Sequence, residues 1–585
     1  MGEGRLVGPP LPAATGPATL GGWLARAAAL NPERAGLRYL DRLERPTWLS
    51  WREVADRAAR AAGALAAAGV RPGDRVGIIL PTKPTFTDAW FGCQVLGAVP
   101  VALYPPVRLG RLDEYHVRTA AMLAASDAAI LVTEARIDRL LGQTLARTRP
   151  RLGVMLDHRL DGEPRPFAEG SSDDLAMVQF SSGTTVEPKP VGLTHRQVLA
   201  QTQALLGEIL ATGPGETRVG VSWLPLYHDM GLIGCIFPAL VHPGPLTLLP
   251  PEAFLARPAL WLRALSRYRG TVSPAPDFAY ALCVERVKDD EIAGIDLSSW
   301  SMALDGAEPV RAATLRAFAA RFAEHGLDPR ALTPVYGLSE AALAVTFDAV
   351  AEPFAARRFD RTALGAGRAE SADEGIEIVS VGRPVAGFEV EIRDEAEGLL
   401  PVGRIGRIHA RGPSLMAGYL GRPDQPFREG WLDTGDLGFV LDDRLYVAGR
   451  AKDVIILRGQ NHAAHEIEAA VHAVSGVRPG CVVAVSDIDE DGEKLVVFAE
   501  VRVAVPDQAE AVRAAVRVAI GIDPATVLLL QPGTLPRTSS GKLRRGESLR
   551  QFKEGALTPP ADVGAWSIAG ALAKSALGRL GWVMG

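Results

Sequence analysis

Residues 51–80 read WREVADRAARAAGALAAAGVRPGDRVGIIL, a stretch of helical composition followed, after an Arg-Pro-Gly-Asp turn, by a short apolar run. Ser50 and Glu53 stand three residues apart at its start, the spacing at which a serine hydroxyl and a glutamate carboxylate satisfy each other's free backbone amides and begin a helix. The run 75–80 is rich in Val and Ile and too short for a stable helix, so it predicts a strand. Comparable runs recur between helical stretches at 128–133, 154–156, 175–180, 219–224, 246–249 and 302–304. Strands alternating with helices imply parallel sheets covered on both faces, and the fold class is α/β.

After about residue 380 the texture changes to closely spaced strands at 389–393, 405–411 and 444–447, which predicts a small antiparallel β unit. Beyond 450, a helix at 466–474, strands at 482–485 and 495–501 and a helix near 509–520 predict a separate α+β domain. The expected division is an N-terminal lead at 1–18, a large domain at 19–450, a small mobile domain at 451–550 and a tail at 551–585. The 585 residues exceed what one hydrophobic core organises, and no solenoid repeat is visible.

Hydrophobic residues make up 47% and charged residues 22% of the chain, which excludes wholesale disorder. The formal charge of −5 and the lack of a Lys/Arg-rich run argue against nucleic acid as a partner. Cys93, Cys235, Cys283 and Cys481 are far apart and form no metal-ligand spacing, so they predict reduced thiols in a cytoplasmic protein. Residues 1–16 lack the pattern of a signal peptide, and no apolar span long enough for a transmembrane segment is present.

The chemistry-bearing residues begin directly after the run 175–180, with Ser181-Ser182-Gly183-Thr184-Thr185-Val186-Glu187-Pro188-Lys189. Small residues let backbone amides approach an anion, hydroxyls add donors, and a lysine adds charge, which together suit a polyphosphate. Taken alone, the stretch reads better as a solvated turn, and the P-loop spacing is absent. It has company, however. In order follow Trp223-Leu-Pro-Leu-Tyr-His-Asp-Met-Gly-Leu232, Asp305-Gly-Ala-Glu-Pro309, Tyr336-Gly-Leu-Ser-Glu340, Thr434-Gly-Asp436, Gly449-Arg450 and Pro536-Arg-Thr-Ser-Ser-Gly-Lys542.

This ordered series resembles the adenylate-forming superfamily of acyl-CoA synthetases, peptide-synthetase adenylation domains and luciferases. Gly97-Ala-Val-Pro-Val-Ala-Leu-Tyr-Pro-Pro106, Tyr227-His-Asp-Met230, Pro276-Asp-Phe-Ala-Tyr280 and Arg458-Gly-Gln-Asn-His462 carry it closest to the fatty acyl-AMP ligases. The resemblance spans roughly 20–550 and implies ATP-dependent activation of a fatty, long-chain carboxylic acid as its acyl-adenylate. It implies that Ser181, Ser182, Gly183, Thr184, Thr185 and Lys189 wrap the β- and γ-phosphates, and that Glu340, with Thr184, holds Mg²⁺. By the same carry-over Tyr336, beside Gly337, stacks on adenine, and Asp305, Gly306 and Ala307 line the base. Asp436 accepts the ribose hydroxyls, assisted by Arg450. Lys542 bridges the attacking carboxylate and the α-phosphate, and Lys452 is the hinge. His228 either gates the acyl pocket or is a packed wall residue.

Three departures from the superfamily pattern stand out: Val186 and Pro190 at glycine positions, and Asp305 where this branch more often has Asn. The polar stretch between Phe347 and Val379, with Arg357, Arg358, Arg368, Asp373 and Glu374, falls where the fatty acyl-AMP ligases carry an insertion, here expected at about 348–378, that impedes use of coenzyme A. An ordinary surface loop is the alternative. The insertion implies transfer to a separate acyl carrier protein or a polyketide or peptide synthase. Ile568, Leu572, Ala576 and Leu580 form a four-residue stripe in the tail, expected to pack on the protein itself or fray. An acyl-CoA synthetase and a catalytically inactive adenylate-binding scaffold remain as alternative functions.

Overall fold

The computed structural model describes residues 2–32, 34–106, 109–181, 189–211, 218–457, 460–489, 492–502, 506–538, 542–560, 572 and 574–576. The helix expected after Ser50 runs over Trp51–Ala67. The Ser50 amide donates to Glu53 Oε2 at 2.8 Å, and the Glu53 amide donates to Ser50 Oγ at 3.3 Å. Its alanine-rich inner face lets the helix Pro84–Leu96 approach so closely that a Cβ on Gly92 would lie 2.8 Å from that of Ala61.

Two large sheets organise the amino-terminal part. The first has six strands in the order Val154–Leu156, Ala128–Thr133, Arg75–Ile79, Val99–Ala102, Leu175–Phe180 and Pro190–Thr194. All its pairings are parallel except the last. The second has nine strands in the order Arg383–Pro384, Ala344–Phe347, Leu332–Gly337, Met302–Asp305, Val272–Ala275, Gly220–Ser222, Pro245–Leu248, Gly36–Leu40 and Pro46–Ser50. Its middle is parallel and both ends are antiparallel. The sheets are therefore mixed, not wholly parallel as expected. Residues 41–45 are too few for a crossover, so Pro46–Ser50 can only fold back on Gly36–Leu40.

A third sheet is antiparallel, in the order Arg5–Val7, Glu389–Arg393, Gly406–Arg411, Trp431–Leu441 and Phe427–Arg428, with Arg444–Arg450 also paired to Trp431–Leu441. The expected lead at 1–18 contributes a strand here. Arg5–Val7 is an edge strand of this sheet, held because Leu6 is buried in the sheet's core.

The carboxy-terminal lobe has its own three-stranded sheet of Val477–Asp489, Gly492–Val501 and Thr526–Leu530, covered by the helices Ala464–His472 and Gln508–Ile520. Its core of Ile467, Val471, Val482, Val497, Val512 and Val516 is distinct from the cores of the larger part. The architecture is thus α/β, with a large amino-terminal and a small carboxy-terminal lobe. Ile568 and Leu580 of the tail stripe lie outside the described residues. Ser575 is buried and accepts the Gly142 amide through Oγ at 2.8 Å, which fastens the tail to the large lobe.

The stretch 348–378 is not an irregular surface loop. Ala356–Phe359 and Ile376–Val379 pair as an antiparallel ribbon around the short helix Arg361–Gly365. Phe359 is fully buried edge-on against the stacked pair Phe439 and Tyr446, at ring separations of 5.1 and 5.8 Å. Arg361 reaches the small lobe, donating to Glu466 Oε1 at 2.5 Å and to the Ala519 carbonyl. Removing the buried ring by Phe359→Ala costs about 3–5 kcal/mol of local stability. Limited proteolysis is expected to cut this variant within 351–378 faster than the parent, and equal cutting rates would show that the ribbon does not depend on this ring.

Candidate active site

A cavity of about 2380 Å³ lies at the junction of the lobes. That exceeds the room a single drug-sized ligand needs and accommodates two reactants. Its wall includes Ser181, Lys189, His228, Ala307, Tyr336, Gly337, Glu340, Asp436, Arg450, Lys452 and Lys542, so residues far apart in the chain converge on one site. Leu304, Ala307 and Glu308 form the wall where the strand Met302–Asp305 ends, while Asp305 and Gly306 do not reach it. Ser182, Gly183, Thr184, Thr185 and Val186 lie outside the described residues, as do residues 539–541 before Lys542.

The neck of the first loop is closed by the Ser181 amide, which donates to the Lys189 carbonyl at 3.2 Å, continuing the pairing of Phe180 with Pro190. The Lys189 ammonium lies 4.7 Å from the centre of the Tyr419 ring and 3.6 Å from Asp424. Tyr419 donates its hydroxyl to Glu340 Oε1 at 2.7 Å. Glu340 thus presents a half-buried carboxylate to the cavity beside a cation.

No cluster of three or more His, Cys, Asp or Glu side chains suited to a metal occurs among the described residues. One hard carboxylate facing a polyphosphate-sized space fits a Mg²⁺ ion that keeps waters and phosphate oxygens as its other ligands.

Asp436 and Arg450 face each other across adjacent strands, with Arg450 Nε 3.1 Å from Oδ1. Tyr336 donates to the other oxygen, Oδ2, at 2.7 Å. Burial raises the Asp436 carboxyl, while Arg450 and the Tyr336 hydroxyl oppose that rise. Each oxygen keeps further lone-pair capacity for a diol. Gly337 lies at a bulge where a Cβ would come within 1.8 Å of the Leu343 carbonyl oxygen, so no other residue fits that backbone. Ala307 has φ of 69°, in the left-handed region that alanine rarely adopts, at the cavity wall.

Lys542 enters from the small lobe on a loop closed by two bonds to Thr538: the Thr538 amide donates to its carbonyl at 2.7 Å, and its own amide donates to Thr538 Oγ1 at 3.0 Å. Burial, and then Arg450, lower its pKa, while Asp229, Glu308 and Asp436 oppose that loss. Lys452 is likewise lowered by burial and Arg450. It sits in the short turn Ala451–Asp453 between the lobes, and Asp453 beside it accepts Arg545 Nη1 at 2.8 Å.

Sequence reasoning named His228 but passed over its neighbour. Asp229 is buried, with Oδ1 2.5 Å from His228 Nδ1, and its Oδ2 accepts the Ser339 hydroxyl at 2.5 Å. Although burial pushes it up, His228, Ser339 and Lys542 together hold the Asp229 carboxyl down at about 2. Tyr419 and Glu308 were also missed. Asp229 stood inside a quoted motif, whereas nothing local marked Tyr419. The apolar part of the wall is continuous: Leu205, Ile209, Leu304, Val335, Ala344 and Phe347 belong to one hydrophobic cluster.

The sequence model described as AMP-binding enzyme matches residues 24–420. A putative acyl-CoA synthetase of Caulobacter vibrioides is 32% identical over 523 residues, covering 87% of this chain and 91% of its own. A long-chain-fatty-acid–AMP ligase of Mycobacterium marinum is 34% identical over 546 residues, covering 86% and 91%. A solved chain from a study of fatty acyl-adenylate ligases of E. coli and L. pneumophila superposes with a TM-score of 0.85 at 33% identity, covering 92% of this chain and 98% of its own.

Asp305 is fully buried, and neither carboxylate oxygen has a hydrogen-bond partner among the described residues. Burial, and then the charges of Asp277 and Glu308, push its carboxyl well above the usual range. The folded state therefore keeps a proton that the unfolded chain releases above about pH 4, and stability falls as pH rises toward the folded value. Asp305→Asn removes that dependence. The variant's melting temperature is expected to exceed the parent's by a margin that widens between about pH 5 and pH 8, and a margin constant with pH would contradict it.

Proposed function

Because the chain belongs to the AMP-binding enzyme family, we propose that it activates a long-chain fatty acid with ATP to an acyl-adenylate, releases pyrophosphate, and passes the acyl group to the phosphopantetheine thiol of an acyl carrier protein. The observation that carries this reading is the convergence of Lys542, from the small lobe, with Asp436, Arg450 and Glu340 of the large lobe on one cavity. The carboxylate of the acid attacks the α-phosphorus, and the bond to the pyrophosphate oxygen breaks. Lys542 stabilises the negative charge gathered between the two reactants, a contribution that commonly amounts to several kcal/mol. Ser181, Lys189 and the hydroxyls at 182–185 hold the leaving pyrophosphate. Asp436 and Arg450 hold the ribose, and Tyr336 packs on adenine. Asp305, Gly306 and Ala307 sit behind or beside the base, with Ala307 at the wall. Glu340 and Thr184 would hold Mg²⁺, which would offset phosphate charge.

The continuous apolar wall suits an alkyl chain, and His228 lines the same cavity. The domains assigned to 19–450 and 451–550 meet at Lys452, the proposed hinge, whose turn must change dihedral angles between half-reactions. The acceptor assignment is supported by the 348–378 ribbon. Arg361 ties the small lobe to it through Glu466 and Ala519, which sets a cost on lobe rotation that docking of a carrier protein can offset and free coenzyme A cannot. An acyl-CoA synthetase is the competing reading. An inactive scaffold is disfavoured, since a site without a task has no reason to keep Lys542, Asp436 and Glu340 desolvated together.

With ATP, a fatty acid and coenzyme A, the purified protein is expected to accumulate acyl-AMP without acyl-CoA, read by mass spectrometry. Acyl-CoA as the main product would sink the carrier-protein reading. Arg361→Ala is expected to raise the acyl-CoA fraction without lowering acyl-AMP formation. Lys542→Ala should reduce acyl-AMP formation by about 10²–10³-fold and leave transfer from preformed acyl-AMP largely intact. Equal loss of both steps removes the role assigned to this lysine.

A further inference from the structure

Arg111, Glu114 and Arg118 follow one another at spacings of three and four residues along the helix Leu112–Ala125 and the turn before it, so their side chains share one face. All three line the space between the lobes, as do Gly533 and Leu543 of the small lobe. From the small lobe, Arg544 joins them, donating through Nη1 to Glu114 Oε1 at 2.9 Å. Arg111 Nη1 lies 3.9 Å from the other carboxylate oxygen, Oε2. The Nη2 of Arg111 is directed at backbone carbonyls, those of Gly533 and Thr534 in the small lobe and of Thr558 in the tail. Glu114 is thus shared between two guanidinium groups, and nothing is left for the third. Arg118 makes no hydrogen bond and no ion pair among the described residues.

Three guanidinium groups therefore meet one carboxylate in a place that water reaches poorly. Arg544 is only 3% exposed, and Arg111 and Arg118 are half-buried. The Nε atoms of all three are buried and have no hydrogen-bond partner among the described residues. Glu547, close by in the chain, does not balance the cluster, because its carboxylate is engaged by Arg550 and Gln551. Burial, and then Arg118, lower the pKa of Arg544, which is the direction an uncompensated cationic neighbour imposes. Like charges gathered with orphaned donors destabilise a fold until an anion joins them. Planar, forked donors in excess of their acceptors are the chemistry that recognises a tetrahedral oxyanion.

We propose that Arg118, together with Arg111 and Arg544, forms a binding site for a phosphate-class oxyanion at the seam between the lobes. It is separate from the phosphate loop, whose Lys189 is held by Tyr419 and Asp424. Arg111 and Arg118 belong to the large lobe and Arg544 to the small one, so the set is complete only in the present arrangement. An anion bound there stabilises this arrangement over any in which the small lobe has turned. That consequence rests on the proposed hinge at Lys452, whereas the site itself does not. One chemistry has two sources here: free phosphate or pyrophosphate, and the phosphate ester of a phosphopantetheine arm.

The test is isothermal titration calorimetry on the full chain, with inorganic phosphate, pyrophosphate and free phosphopantetheine as separate titrants and neither ATP nor acid present. Arg118→Gln is expected to weaken binding of at least one of them about tenfold or more. Arg118→Lys keeps the charge and should recover part of that loss. Arg544→Gln should weaken the same titrant, because part of the site belongs to the small lobe. Lys189→Ala should leave the binding that depends on Arg118 in place. A loss confined to phosphopantetheine identifies the arm as the occupant, and a loss shared by phosphate or pyrophosphate identifies the free anion.

Unchanged affinity for all three titrants in Arg118→Gln overturns the proposal, as does a parent that binds none of them. In anion-free buffer Arg118→Gln should melt no lower than the parent, since it relieves repulsion. A melting temperature several degrees below the parent's also overturns the site, because the guanidinium would then be a structural part of the seam. None of these readouts needs catalysis, so failure of the ligase reading leaves the site standing.

Discussion

A charged lysine inside a half-buried cleft is stable only where opposite charge is waiting, and this requirement ties the two lobes together. Lys542 belongs to the small lobe, while Asp229, Glu308, Asp436 and the opposing Arg450 belong to the large one. Each of those groups is already partnered within the large lobe. Asp436 is held by Tyr336 and Arg450, Glu308 by the Phe278 amide, and Asp229 by His228 and Ser339. The socket therefore exists without the lysine. A preorganised socket of this kind spares reorganisation when charge develops during a reaction.

The lobes are also held in this arrangement away from the cavity. Arg544, two residues after Lys542, donates to Glu114 Oε1 at 2.9 Å. Arg111, which precedes the helix Leu112–Ala125, donates to the Thr534 carbonyl at 2.6 Å and to that of Thr558 at 3.2 Å. On the other side, Arg361 reaches Glu466 and the Ala519 carbonyl. Burial raises the Glu466 carboxyl to about 7 even though the exposed Arg361 opposes the rise. These links are polar and side-chain based, not a shared hydrophobic core, since the small lobe's core is its own. An interface of that kind separates at less cost than a core, as the proposed turn of the small lobe about Lys452 requires.

Much of this was legible in the sequence, for physical reasons that differ between elements. The helix Trp51–Ala67 and the strand Arg75–Ile79 were readable because cap, composition and apolar run agreed. Strands Val99–Ala102, Val272–Ala275 and Leu332–Gly337 were not, and each contains a proline, at 100, 274 and 334. Proline gives up a ladder donor, so it argues against a central strand in sequence, yet burial on both faces outweighs that loss here. The edge strand Arg5–Val7 was hidden because its partner lies almost four hundred residues on, at Glu391. In the cavity, residues in ordered motifs were findable. Tyr419, whose hydroxyl meets Glu340, had only a distant partner and no local mark.

Pro190 illustrates how a departure that looks damaging in sequence can be neutral in the fold. It replaces a glycine expected after Lys189, and a missing amide in a phosphate loop would be costly. In the structure Pro190 is the first residue of its strand, paired with Phe180, and its carbonyl accepts the Leu420 amide at 3.0 Å. The first position of a strand is one that proline tolerates. The amide that closes the neck comes instead from Ser181, onto the Lys189 carbonyl. Proline's fixed φ then narrows the directions in which the chain can leave Lys189. The lysine that precedes this rigid exit lies 4.7 Å from the centre of the Tyr419 ring and 3.6 Å from Asp424.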